Sequence, residues 1–275
     1  MGPVAWLREK RREKLAALRP IGDEAWDWAV RHHRVLDGLS PGELAKLRSM
    51  AAAFLAEKKF VEARGAVADA DTRLSIAVQA CLPLLELGLR WYDDWETVIL
   101  VPREFNYTRR DVDSAGIVTE WDDELAGQVL ELGPVVLSLR DVEASGWGDG
   151  FNVVIHEFAH KLDERDGELD GCPPLHRGVS ASAWRAAFRA AWNDFSERAK
   201  KPAPWGKRKR GKGALPLDSY AAESPDEFFA VACEYFFERP FRLRDAYPDV
   251  YAVMKDFFRQ DPAERLSQIG DTGKA

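Results

Sequence analysis

The stretch N-V-V-I-H-E-F-A-H-K-L-D, residues 152–163, restricts the folds open to this chain more than any other segment. Val153, Val154, Phe158, Ala159 and Leu162 are spaced for a helix with a buried face, and His156, Glu157 and His160 fall inside that apolar run. Polar groups carried into a core are costly unless something pairs with them. Residues four apart on a helix stand one turn apart on the same face. His156 and His160 therefore offer two imidazoles to one point, and zinc takes imidazole nitrogens in a tetrahedral set. Glu157 projects from the neighbouring edge, where it can take a proton from a water acidified by the metal without binding the metal. The competing reading is a pair of hydrogen-bonded core histidines.

A catalytic site of this kind needs one more protein ligand. A longer zinc motif would put glycine at position 163 and histidine at position 166; the chain has Asp163 and Asp166. Asp166 serves only if the chain turns sharply after the helix, and His176 follows Pro173 and Pro174 in a loop. Downstream, Y-A-A-E-S-P-D-E-F-F-A-V-A-C-E-Y-F-F-E spans 220–238, and Glu227 begins its apolar helix. Here too a bland reading stands. Ser224, Pro225 and Glu227 spell a capping box, which would spend Glu227 on a backbone N–H. Glu223, Asp226 and Glu234 are further acids nearby. Asp163, three residues after His160, could orient a ligand or be a surface carboxylate, and Asn152, one turn before His156, could play a similar part. His32 and His33 have no Cys, Asp or Glu cluster around them and read as surface or packing residues.

The rest of the chain divides by hydrophobic period. Residues 1–20 are a basic helix or tail that Pro20 ends, a solvated element by its charge. Residues 21–265 read as one domain, with a helical part over about 21–92 and a catalytic core over about 93–262. Ser40-Pro41-Gly42-Glu43 opens one helix, and residues 71–89 form a second, more buried one. T-V-I-L-V-P (97–102), G-I-V-T-E-W (116–121) and G-P-V-V-L-S-L (133–139) read as short strands. Helices return at 151–163, 182–199, 225–238 and 247–259. Residues 200–213 hold seven basic residues among glycines and prolines and read as a loop. Residues 266–275 are expected to be a disordered tail.

With 275 residues and 46% hydrophobic content, the chain can bury a sizeable core. A net charge of −7 argues against general nucleic-acid binding, which rests on neutralising phosphates. Cys81, Cys172 and Cys233 form no C-x-x-C pair and read as reduced thiols of a cytoplasmic protein. The N-terminal residues lack an apolar signal core, and the apolar segment 76–89 is too short and too interrupted to span a membrane.

H-E-F-A-H-K-L-D, followed by Tyr220 and then E-F-F-A seven residues on, resembles the Mlc titration factor A family of bacterial zinc peptidases. F-L-A-E-K-K-F (54–60), I-A-V-Q-A-C-L-P-L-L (76–85), G-P-V-V-L-S (133–138) and E-Y-F-F-E-R-P (234–240) extend the likeness over roughly residues 20–262. The resemblance implies an α+β fold, mostly helical, with a small sheet against the H-E-x-x-H helix. This is a zincin-like core of the gluzincin type, similar to that of the anthrax lethal factor protease. It implies one zinc ion held by His156, His160 and Glu227, with Glu157 as general base and Tyr220 as a donor to the developing oxyanion. It also implies aminopeptidase-like activity on short peptides, or sequestration of an Mlc-like transcriptional repressor. Gln128 and Leu130 stand where the family has an acid and an indole, which bears on substrate preference and not on the metal.

Overall fold

The computed structural model describes residues 3–103, 133–200 and 215–272. The strand expected over 116–121, the positions Gln128 and Leu130, and the basic stretch after Lys200 lie outside the described residues.

Three helices open the chain: α1 (Pro3–Leu18), α2 (Asp23–His32) and α3 (Pro41–Glu57). Ser40 caps α3 in a complete capping box, accepting from the Glu43 backbone while the Glu43 carboxylate accepts from the Ser40 N–H at 2.8 Å. Strand β1 (Lys59–Glu62) follows, then α4 (Ala70–Cys81), capped by Asp69. Strands β2 (Thr97–Val101) and β3 (Val135–Ser138) complete a three-stranded sheet in the order β1-β2-β3, all parallel. Lys59 pairs with Thr97 and Val98 with Val135. Parallel strands need covered faces, and β2 is buried along almost its whole length.

The second half is helical: α5 (Leu139–Ala144), α6 (Val153–Asp163), α7 (Ala181–Ala199), α8 (Pro225–Glu238), α9 (Pro240–Ala246), α10 (Pro248–Phe258) and α11 (Pro262–Thr272). The fold is α+β and mostly helical, as the sequence predicts. The motif helix α6 lies between β3 and α8. Phe158 anchors it by packing edge-on or tilted against Phe54, Tyr92 and Trp95, with ring centroids 5.2–5.8 Å apart.

Four features depart from the sequence reading. Strand β1 was not anticipated, because a four-residue K-F-V-E run following a helix carries too little alternation. The helix expected over 71–89 stops at Cys81, two residues before Pro83, as Pro disfavours helical geometry ahead of itself. Residues 266–272, expected in a tail, continue α11. The basic N-terminal helix is also docked. Arg12 is 6% exposed, donating to Glu57 Oε2 at 2.8 Å and to Asp93 Oδ1 at 2.5 Å. Arg8 pairs with Asp93 as well, at 2.9 Å.

This clamp yields a stability prediction. Arg12→Ala leaves Glu57 and Asp93 without their central partner. Both carboxylates keep some contact with water, so the loss should be about 2–3 kcal/mol, below that of a fully buried pair. Urea titration of the variant measures it; an unchanged midpoint would show that the Arg12 clamp adds nothing to stability.

Candidate metal centre

Two helices build the site. Asn152 caps α6, its side-chain oxygen accepting from the Ile155 N–H at 2.9 Å. That start sets the phase that turns His156 and His160 toward α8 while Val154, Ile155, Phe158 and Leu162 enter the core. Helix α8 begins at Ser224-Pro225, and Ser224 accepts from the Glu227 N–H at 3.4 Å. The reciprocal bond of a capping box is not made at this helix start. The Glu227 carboxylate instead faces the two imidazoles.

His156 Nε2 lies 3.1 Å from Glu227 Oε2, and His160 Nε2 lies 3.5 Å from the same oxygen. One donor atom from each of the three residues lies within 4.8 Å of the other two. Two ligands at the usual zinc distances, across a tetrahedral angle, stand roughly 3.3–3.4 Å apart. Glu227 Oε2 is buried, and no well-aligned hydrogen bond reaches it among the described residues. Three buried donor atoms converging in this way suit a cation, and these residues fit a divalent metal.

The electrostatics agree. Burial alone would raise the Glu227 carboxyl, yet the adjacent His156 and His160 rings hold it far below the usual carboxylate range. Burial would lower His156, but the Glu227 and Glu234 carboxylates outweigh it and raise the ring to about 10. Without a metal, His156 is thus an imidazolium set between two acids.

Glu157 is half-buried, and among the described residues its carboxylate makes no hydrogen bond or ion pair. Its charge acts on both His156 and Tyr220. Tyr220 lies on a short 3-10 turn, residues 219–222, whose start is held by Asp218 accepting from the Tyr220 N–H at 2.9 Å. The phenol points at the site: Oη is 3.5 Å from Glu227 Oε1, and the ring centroid is 5.9 Å from that of His156. Partial burial, then the charges of Glu227, Glu223 and Glu157, raise its pKa to about 12. The phenol therefore keeps its proton at neutral pH.

The other candidates fall elsewhere. His176 contacts the Phe257 carbonyl at 2.8 Å. Asp166 accepts from the Glu168 N–H in the turn after α6. His32 stacks on Trp28 at the surface, and His33 is buried on Ser75 and Ala29. Asp163 makes no hydrogen bond to either imidazole. Burial raises its carboxyl to about 7, and one oxygen accepts from the Gly171 N–H at 2.8 Å. It ties down a loop that abuts the first turn of α8, where a Cβ on Gly171 would lie 2.6 Å from the Pro225 oxygen.

The orienting carboxylate is Glu234, whose Oε1 accepts from His156 Nδ1 at 2.9 Å. The sequence reading named it only as a nearby acid. Its signal was available: Glu227, Glu234 and Glu238 are spaced seven and four apart, which lines one face of a helix that is otherwise apolar.

The sequence profile of the Glucose-regulated metallo-peptidase M90 family matches residues 6–259. The chain belongs to the M90 metallopeptidase family. It is also similar to proteins named Mlc titration factor A. That of Escherichia coli O9:H4 (strain HS) is 35% identical over 238 residues, covering 86% of this chain and 87% of the relative. That of Shigella sonnei (strain Ss046) is likewise 35% identical, and that of Escherichia coli (strain K12 / DH10B) 34%, over the same shares. Membership in the M90 family implies a metal, and His156, His160 and Glu227 form the group that could hold one. Among the described residues, no helix is long and apolar enough to cross a membrane.

A metal bound by His156 in this M90 protein would have to displace the His156 proton. The folded pKa of about 10 lies above that of free histidine, so the proton is present throughout the neutral range and lost only as pH rises toward 10. Metal affinity should therefore climb about tenfold per pH unit between pH 7 and 9, with about one proton released per ion. Calorimetry in buffers of different ionisation enthalpy counts that proton; a pH-independent affinity would contradict the assignment.

Proposed function

We propose that this chain is a cytoplasmic, zinc-dependent peptidase of the aminopeptidase type, acting on short peptides. The observation that carries the reading is the convergence of His156, His160 and Glu227, one helical position from the half-buried Glu157. Two imidazoles and one carboxylate would hold one zinc ion, and this is a donor set of catalytic sites, which keep a fourth position open. When bound, zinc supplies a Lewis acid that polarises the scissile carbonyl and acidifies water.

The chain's own residues do the rest. Glu157 takes the proton of the attacking water and delivers it to the leaving amine. Tyr220, protonated at neutral pH, donates to the carbonyl oxygen as that oxygen gains charge. Glu234 holds the Nδ1–H of His156, which leaves the Nε2 lone pair for the metal side. The preference for short peptides and their amino termini follows the family resemblance. The free thiols of Cys81, Cys172 and Cys233 accord with a reducing compartment.

The name borne by the relatives supports a second role, capture of an Mlc-like transcriptional repressor. That role needs a surface and not a general base, so the two separate by mutation.

Glu157→Ala should keep stoichiometric zinc and lose peptide hydrolysis, while any binding of an Mlc-like repressor stays unchanged. Tyr220→Phe should lower kcat about 100-fold with little change in KM, as expected for one lost oxyanion donor. Metal analysis together with assays on aminoacyl p-nitroanilides reads both. A Glu157→Ala protein as active as the wild type would end the proposal.

A further inference from the structure

We propose that Asn152 and Gln79 are positioning residues for the metal centre, acting on His156 through Glu234. The inference rests on the reading of His156 as a metal ligand.

Glu234 is held at both ends. Its Oε1 accepts from His156 Nδ1 at 2.9 Å, and its Oε2 accepts from the Asn152 backbone N–H at 2.5 Å. The carboxylate cannot rotate without losing one of them, so the position of Asn152 fixes the plane in which the His156 ring is gripped.

Asn152 is fully buried, and its amide has one possible orientation. Oδ1 must face the Ile155 N–H that it caps. Nδ2 then donates both hydrogens, to Gln79 Oε1 and to Glu238 Oε1, each at 2.8 Å. Gln79 is also fully buried and equally constrained. With its oxygen committed to Asn152, its Nε2 faces the Ser75 carbonyl at 3.2 Å and Ser75 Oγ at 3.1 Å. The Ser75 hydroxyl donates onward to His33 Nε2 at 2.7 Å, and His33 Nδ1–H donates to the Ala29 carbonyl at 2.8 Å. Every donor meets an acceptor, which is the condition for a buried network to specify one arrangement.

The backbone closes over this array at Gly146. Its φ is +93°, and a Cβ there would lie 2.7 Å from His33 Cδ2 and 3.0 Å from Gln79 Oε1. The N-terminal helices thus reach the metal centre by directed hydrogen bonds as well as by packing. Capping alone does not require asparagine, since Asp, Ser and Thr cap as well or nearly so. Only an amide supplies a cap acceptor together with two donors at this spot.

Asn152→Asp makes the test. It keeps the cap but turns a carboxylate toward Glu238 and the Gln79 oxygen. Zinc affinity is measured on the full chain by competition with a chromophoric chelator, and ligand geometry by the visible bands of the cobalt-loaded protein. The expected result is a folded protein whose zinc affinity falls about 10–100-fold, with altered cobalt bands. If Asn152→Asp does not fold, Gln79→Met decides by the same two measurements, because it removes the acceptor for Asn152 with little change in volume. A folded variant with wild-type zinc affinity and unchanged cobalt bands overturns the inference and leaves the metallopeptidase reading standing. A wild-type protein that takes up neither metal overturns both.

Discussion

A carboxylate buried between two imidazoles is the constraint from which the remaining structure follows. Glu227 cannot sit in the apolar seam between α6 and α8 unless His156 and His160 face it. They cannot face it unless α6 starts at Asn152, since a shift of one residue rotates both rings away by roughly 100°. The remaining faces of α8 supply the burial that holds the carboxylate in place. Phe228, Phe229, Val231, Ala232, Phe236 and Phe237 are all 0–1% exposed, so the helix has little freedom to slide or turn. The sheet and the Phe158 aromatic cluster do the same for α6.

Much of this was legible in the sequence because the motif obeys local rules. Four-residue spacing on a helix is enough to bring His156 and His160 together, whatever surrounds them. The third candidate ligand was not legible in that way, and the reason is visible in two near-identical tetrapeptides. S-P-G-E at 40–43 and S-P-D-E at 224–227 share the same capping spacing. At Ser40 the glutamate returns to the backbone N–H and completes the box. At Ser224 it does not, because α6 lies across that face and offers it two imidazoles. Local sequence cannot distinguish the two; only the pairing of helices some seventy residues apart does. The family resemblance named Glu227 by supplying that missing long-range information.

The same logic explains the misreadings. Glu234 was passed over because an acid inside an apolar helix looks like an isolated exception until the helix that it faces is known. His33 read as a packing residue, and it does pack, but it also terminates a chain of hydrogen bonds that begins at His156. The basic charge of α1 suggested a solvated helix, whereas Arg12 finds Glu57 and Asp93, residues far away in sequence. Each of these is a pairing of polar groups across elements, which periodicity does not encode. Periodicity did give the strands at 97–101 and 135–138, where burial and sequence pattern coincide.

Charge balance links the site to its supporting residues. Glu227 and Glu234 flank His156 from opposite sides, and both are largely buried. With His156 protonated, these three groups sum to one negative charge in a poorly solvated place. A dication in exchange for that proton brings the sum to zero, so the electrostatics that raise the His156 pKa also favour a metal there. Glu238 adds another carboxyl one turn beyond Glu234, and burial raises it to about 7, so it carries only part of its charge at neutral pH beside Asn152. A fully charged acid at that position would repel Glu234 and oppose the geometry that His156 needs. The row of glutamates on α8 therefore grades from an ionised Glu227 facing the imidazoles to a partly protonated Glu238 at the far end. That gradient lets one helix face carry three acids into the core while concentrating negative charge where a cation would sit.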